Sequence, residues 1–175
     1  MSTSYFFYIH PDLTKVPDVW KLGITKTPYS AVRARQKYCW EQVGLTHLYF
    51  GLPFSISLLE SNLKKRLGYL SGKSLQQFGT QTEMFKIDIN TLLLEIDAVI
   101  VEKELYIKKV DLPTPYTAVN AGQCPFGICS EDFADNWARN KAIEIFGTNA
   151  EKQDQSKVSS IVMYDELFAT MYEES

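Results

Sequence analysis

Tyr5-Phe6-Phe7-Tyr8-Ile9-His10 and Val19-Trp20-Lys21-Leu22-Gly23-Ile24-Thr25 are the two stretches that decide the architecture. Each is rich in aromatic and β-branched residues, which suit a pleated, half-buried surface. Pro11 is expected to end the first. Residues 12–18 hold two acids, a lysine and Pro17, and read as a loop. A simple return through that loop makes the second strand antiparallel to the first. Gly23, inside a strand, signals a close approach to the backbone by another element or by a ligand.

Outward from this pair, Thr27-Pro28 opens a helix, with Thr as cap and Pro at the first helical position. It is predicted to run to about Gln42, with Gly44 beyond. A third strand is expected over Leu45 to Leu52. Ser55 is the expected cap of a helix from Ile56 to about Leu70, in which Ile56, Leu59, Leu63, Leu67 and Leu70 recur at steps of three and four. A loop over 71–80 leads to a short strand at Thr82 to Ile87. Asn90 is the expected cap of a helix to about Glu104, with Leu93, Ile96 and Ile100 inward. From Asp111, Pro113, Pro115, Gly122 and Pro125 make an irregular connector. Ser130 then caps a predicted helix over Glu131 to Phe146 that Gly147 ends. Residues 149–157 are polar, and a last amphipathic helix is expected over Lys157 to Tyr172. The expectation is an α/β (α+β) fold, a small central antiparallel sheet flanked by helices in residues 1–110, followed by a mainly helical extension in residues 111–175.

A chain of 175 residues with 45% hydrophobic content can bury a core without disulfides. The three cysteines, Cys39, Cys124 and Cys129, form no disulfide framework and point to a reducing compartment. Cys124 and Cys129 could begin a zinc site, but such a site needs four ligands, and His10 and His47 lie far off in sequence. There is no signal-peptide pattern at the start and no apolar run long enough for a membrane span. A soluble, cytoplasmic protein with no membrane partner is expected. The net charge of −3 is unevenly spread: residues 1–110 carry +4 and residues 111–175 carry −7. The basic front half is compatible with phosphate contacts.

The polar residues on these elements form a set. Tyr8 stands on the first strand, Lys21 on the second, Arg33 and Arg35 on the helix that follows, and Glu60 beside the leucine stripe of the next helix. Hydrolysis of a phosphodiester needs a base for water, a cation for the phosphate, a carboxylate for a divalent metal and stabilisation of the leaving oxygen. Arginine suits the phosphate because its planar fork pairs with two oxygens.

Phe7-Tyr8-Ile9, Lys21-Leu22-Gly23-Ile24-Thr25, the helix arginine, Leu58-Leu59-Glu60 and Thr82-Glu83-Met84-Phe85 stand in the order of the motifs of the GIY-YIG nuclease superfamily. The pattern most resembles a phage and bacterial branch with a Lys-Ile-Gly-Ile-Thr second motif. The resemblance covers residues 5 to 100. It implies a metal-dependent DNA endonuclease in which Tyr8 positions or deprotonates water, Lys21 replaces the second tyrosine, and Gly23 allows close packing. Glu60 would hold Mg2+ or Mn2+. The family's arginine maps to Arg33 or Arg35. Lys26, Lys37 and Lys64 are the candidate DNA contacts. Phe6 stands where the family has glycine, and Lys64 where relatives often carry histidine. These departures motivate a second expectation, a nucleic-acid-binding or regulatory protein that kept the fold and lost catalysis. The acidic extension is expected to pack on the front module as an oligomerisation or autoinhibitory element.

Overall fold

The computed structural model describes residues 4–11, 18–28, 45–71, 84–112 and 134–157. Its framework is a five-stranded, fully antiparallel sheet in the order β4-β2-β1-β3-β5. The strands are β1 (Phe6–Pro11), β2 (Val19–Thr25), β3 (His47–Gly51), β4 (Met84–Lys86) and β5 (Ile107–Val110). The aromatic β1 is central because both its faces are apolar: Phe6 to Ile9 are all buried. It pairs with β2 through Tyr8–Gly23 and His10–Lys21, and with β3 through Phe6–Phe50 and Tyr8–Leu48. Pro11 belongs to the strand rather than ending it.

Alternation sends Phe7, Ile9, Leu22 and Tyr49 to one face. There they meet α1 (Pro53–Ser71) through Ile56, Leu59, Leu63 and Leu67, and α2 (Ile89–Glu102) through Leu92, Ile96 and Val99. The inward face of α2 is thus centred one residue before the Leu93, Ile96 and Ile100 of the sequence reading. Arg66 bridges the two helices, with Nη2 3.0 Å from both carboxylate oxygens of Glu102 and Nη1 3.7 Å from Glu95.

Phe6, Tyr8, Leu48, Phe50 and Val110 face the other way. The described part of the extension packs on them: α3 (Ala134–Phe146) brings Ala138, Ala142, Trp137 and Phe146, and a further helix over 150–157 brings Ala150. Phe50 is the hub, 5.3 Å from Phe6, 5.8 Å from Trp137 and 6.3 Å from Phe146 between ring centroids. Gly147, at φ 96°, ends α3 where a side chain would be strained.

Several boundaries differ from expectation for physical reasons. α1 begins at Pro53, where proline loses no helical hydrogen bond. Ser55 therefore lies inside the first turn and does not cap it. The cap comes from Asp154, whose carboxylate accepts the Phe54 amide at 3.0 Å and the Ser55 amide at 2.9 Å, and also the Ser55 hydroxyl. Ser55 Oγ in turn accepts the Tyr106 amide at 3.0 Å. The polar segment 149–157 is helical from 150 to 157. Asp88, not Asn90, caps α2, accepting the Thr91 amide at 3.2 Å. β5 is an added strand beyond the elements expected. Of the first predicted helix, Pro28 is helical and the remainder lies outside the described residues, as does the predicted helix beyond 157. No helix among the described residues is long and apolar enough to cross a membrane.

Candidate functional site

The β1–β2 pair brings part of the predicted set together. Tyr8 and Gly23 are register partners, so the phenol on one strand faces a position with no side chain on the other. The ring occupies that space. A methyl group at position 23 would stand 2.5 Å from Tyr8 Oη and 2.6 Å from Cζ. This is the close approach that a glycine inside a strand signals. Lys21 lies two residues before Gly23, on the same face of the sheet. Tyr8 is 6% exposed and Lys21 8% exposed. Burial of this kind strengthens the interaction of the lysine with any negative charge it meets.

His10 shares that face. It is the register partner of Lys21 and lies two residues after Tyr8. At 1% exposure it is more buried than either. Its Nδ1 lies 2.8 Å from the Pro11 carbonyl. His47 opens β3, with Nδ1 2.9 Å from the Thr46 hydroxyl. Burial, and secondarily the charge of Lys109, holds its imidazole below the usual range. His10 is next to last in β1, and His47 is the first residue of β3.

Glu60 lies elsewhere. It flanks the apolar stripe of α1, and that stripe packs on the opposite face of the sheet from Tyr8 and Lys21. Its carboxylate is 3.4 Å from the Lys64 ammonium one turn later, a partly exposed pair contributing about 0.3–0.5 kcal/mol. Lys64 is thus engaged with Glu60. Lys26 directly follows β2, in a turn where the Thr25 hydroxyl donates to the Thr27 carbonyl at 2.7 Å. Arg33, Arg35, Lys37, Glu83 and the three cysteines lie outside the described residues.

Among the described residues, no three His, Cys, Asp or Glu side chains gather into a metal-binding group. A divalent ion held by Glu60 would draw its other ligands from phosphate oxygens and water, an arrangement Mg2+ accepts. His10 is a buried polar residue on this face outside the set named from the sequence. Its period-2 spacing from Tyr8 was the available signal. Compared with models of known families, with characterised proteins and with solved structures, the chain matches none.

Proposed function

We propose that the chain is a metal-dependent DNA endonuclease of the GIY-YIG type, acting in the cytoplasm. The observation that supports this reading most directly is the Tyr8 phenol resting on Gly23, with Lys21 on the same face of an antiparallel pair. In this reading Tyr8 Oη orients the attacking water, Lys21 offsets charge on the scissile phosphate, and Arg33 or Arg35 grips its oxygens. Glu60 would be the holder of Mg2+ or Mn2+, which would supply charge stabilisation to a phosphate, although its helix packs on the sheet face opposite Tyr8 and Lys21. Lys26, Lys37 and Lys64 contact the DNA backbone.

Nicking of supercoiled plasmid tests the reading, comparing wild type with Tyr8→Phe and Glu60→Ala in Mg2+, Mn2+ or EDTA. Metal-dependent cutting by the wild type, reduced at least about 100-fold in both variants, is the expected result. Undiminished cutting by Glu60→Ala would remove that residue from the site.

A second reading is favoured by one observation, the placement of Glu60 on a helix packed against the opposite sheet face and paired with Lys64. It holds that the fold binds nucleic acid without cutting it. It predicts retention of DNA in a mobility-shift assay with no turnover in any metal.

A further inference from the structure

α2 is apolar on more sides than the sheet and α1 cover. Leu92, Ile96 and Val99 are buried against them, with Leu93 and Ile100 half-buried alongside. One flank is charged, where Glu95 and Glu102 meet Arg66. The outward side is not: Leu94, Ala98 and Val101 recur there at steps of four and three, interrupted by Asp97. Leu94 is 69% exposed and Val101 75% exposed, so no described residue covers them. A helix packed on a core by one stripe turns polar residues to water on the opposite side, whereas one that is apolar nearly all round is buried.

We propose that residues 158–175 of the same chain cover this stripe as a helix antiparallel to α2. The first observation behind this choice of occupant is where the described chain stops. Lys157 donates to the Lys103 carbonyl at 2.9 Å and to the Glu104 carbonyl, and lies 5.4 Å from the centre of the Tyr106 ring. The chain beyond it therefore sets out from the C-terminal end of α2, beside Val101. The second is spacing. Leu94 and Val101 are seven residues apart, and so are Ile161 and Phe168 on the apolar face expected beyond Lys157. Pairing Val101 with Ile161 in an antiparallel arrangement pairs Leu94 with Phe168, and sets the small Ala98 against Tyr164. The same register leaves Lys157 within about two residues of the carbonyls it holds. A helix from Val158 to Tyr172 is about 22 Å long and α2 about 21 Å, so the whole stripe is within reach. Asp97 and Asp165 also fall level, a like-charged pair that weakens the contact without breaking it. The proposal does not depend on the nuclease reading.

Disulfide trapping in the full chain, with Cys39, Cys124 and Cys129 replaced by serine, tests it. Facing positions on packed helices come within the Cα separation a disulfide needs. Val101→Cys with Ile161→Cys, and separately Leu94→Cys with Phe168→Cys, should each close an intramolecular bond under mild oxidation, read as a faster-migrating monomer on a non-reducing gel. Thr91→Cys with Ile161→Cys, about 15 Å out of register, should stay reduced. A disulfide-linked dimer would assign the stripe to a second copy of the chain, and free thiols in both designed pairs would leave it to water. Either outcome overturns the proposal, as does equal trapping in the out-of-register pair. A second measurement leaves the native cysteines in place. At positions open to water, Leu94→Lys and Val101→Lys leave stability almost unchanged. Beneath a covering helix, each should lower the urea midpoint by at least about 0.5 M. Midpoints that do not move overturn the proposal even where the cysteine variants fail to fold.

Discussion

At the scale of single residues, Gly23 carries the sharpest consequence. Its missing side chain is the space the Tyr8 phenol fills. Gly23→Ala should therefore force the ring out of its place, at a cost of about 1–3 kcal/mol for an overpacked site. Urea denaturation measures it. In a Tyr8→Leu background the same substitution should cost markedly less, because the atoms it meets are gone. An equal cost in both backgrounds would assign the effect to the strand backbone instead. The sequence made the close approach legible, since a glycine amid β-branched residues has few other uses. It did not disclose that the approaching group is the tyrosine of the neighbouring strand. That depends on register, and a slip of one residue would have put Tyr8 on the other face. The pairing of His10 with Lys21 was hidden for the same reason. Glu60 shows the converse limit: its place beside a leucine stripe was readable, but the sheet face its helix would cover was not.

At the scale of elements, the strongly patterned ones were readable and the borrowed ones were not. β2 spans the seven residues its pattern marks, and the stripe of α1 is buried from Ile56 to Leu67 as its spacing requires, the burial of Leu70 lying outside what is described. β5 has only four residues, and Lys108 and Lys109 at its centre mask the alternation. Such lysines are what an edge strand uses to discourage pairing with other chains. The start of α1 was misread because its cap lies about a hundred residues away, at Asp154, beyond any local motif. That cap makes a pH-dependent prediction. Burial raises the Asp154 carboxyl above its ordinary value, outweighing the hydrogen bonds from Ser55 and Phe54 and the charge of Lys157, which act in the opposite direction. A folded-state value above the unfolded one means that the folded protein binds the proton more tightly. This contribution is therefore fully present below the unfolded value of about 3.9 and is lost as pH rises through the raised folded value. Asp154→Asn removes the titration. The stability of the wild type relative to Asp154→Asn should thus fall as pH rises from about 4, read from urea midpoints at a series of pH values. A difference that is flat, or grows with pH, would show that the hydrogen bonds prevail over burial. Asp154→Ala, which also leaves two helix amides without their acceptor, should cost about 1–2 kcal/mol near neutrality.

At the scale of the whole molecule, charge and composition divide the chain near residue 110, while packing joins the two sides. Residues 134–157 cover the sheet face that holds Phe6 and Phe50, and they supply the cap of α1. Without them, Phe50 would lose Trp137 and Phe146, and the first turn of α1 would lose its anion. An apolar face of that kind, left to water, is an association site. A chain ending at residue 110 should accordingly lose its near-ultraviolet circular dichroism, bind a hydrophobic dye and elute as aggregates, even though its far-ultraviolet spectrum retains helix and strand. The milder Phe146→Ala change in the full chain should cost about 3 kcal/mol, as expected for removal of a large aromatic side chain from a packed cluster. These results would make the extension part of the core, and any inhibition by its acids would have to act from a packed position. A soluble, monomeric 1–110 chain with a native near-ultraviolet spectrum would lead the other way. It would mean that the front residues close their own core, and that the −7 segment is an accessory free to lift from the basic half. Plasmid nicking by that chain, set against the full protein at low and high salt, would then measure how far the acids compete with phosphate, because such competition weakens as ionic strength rises.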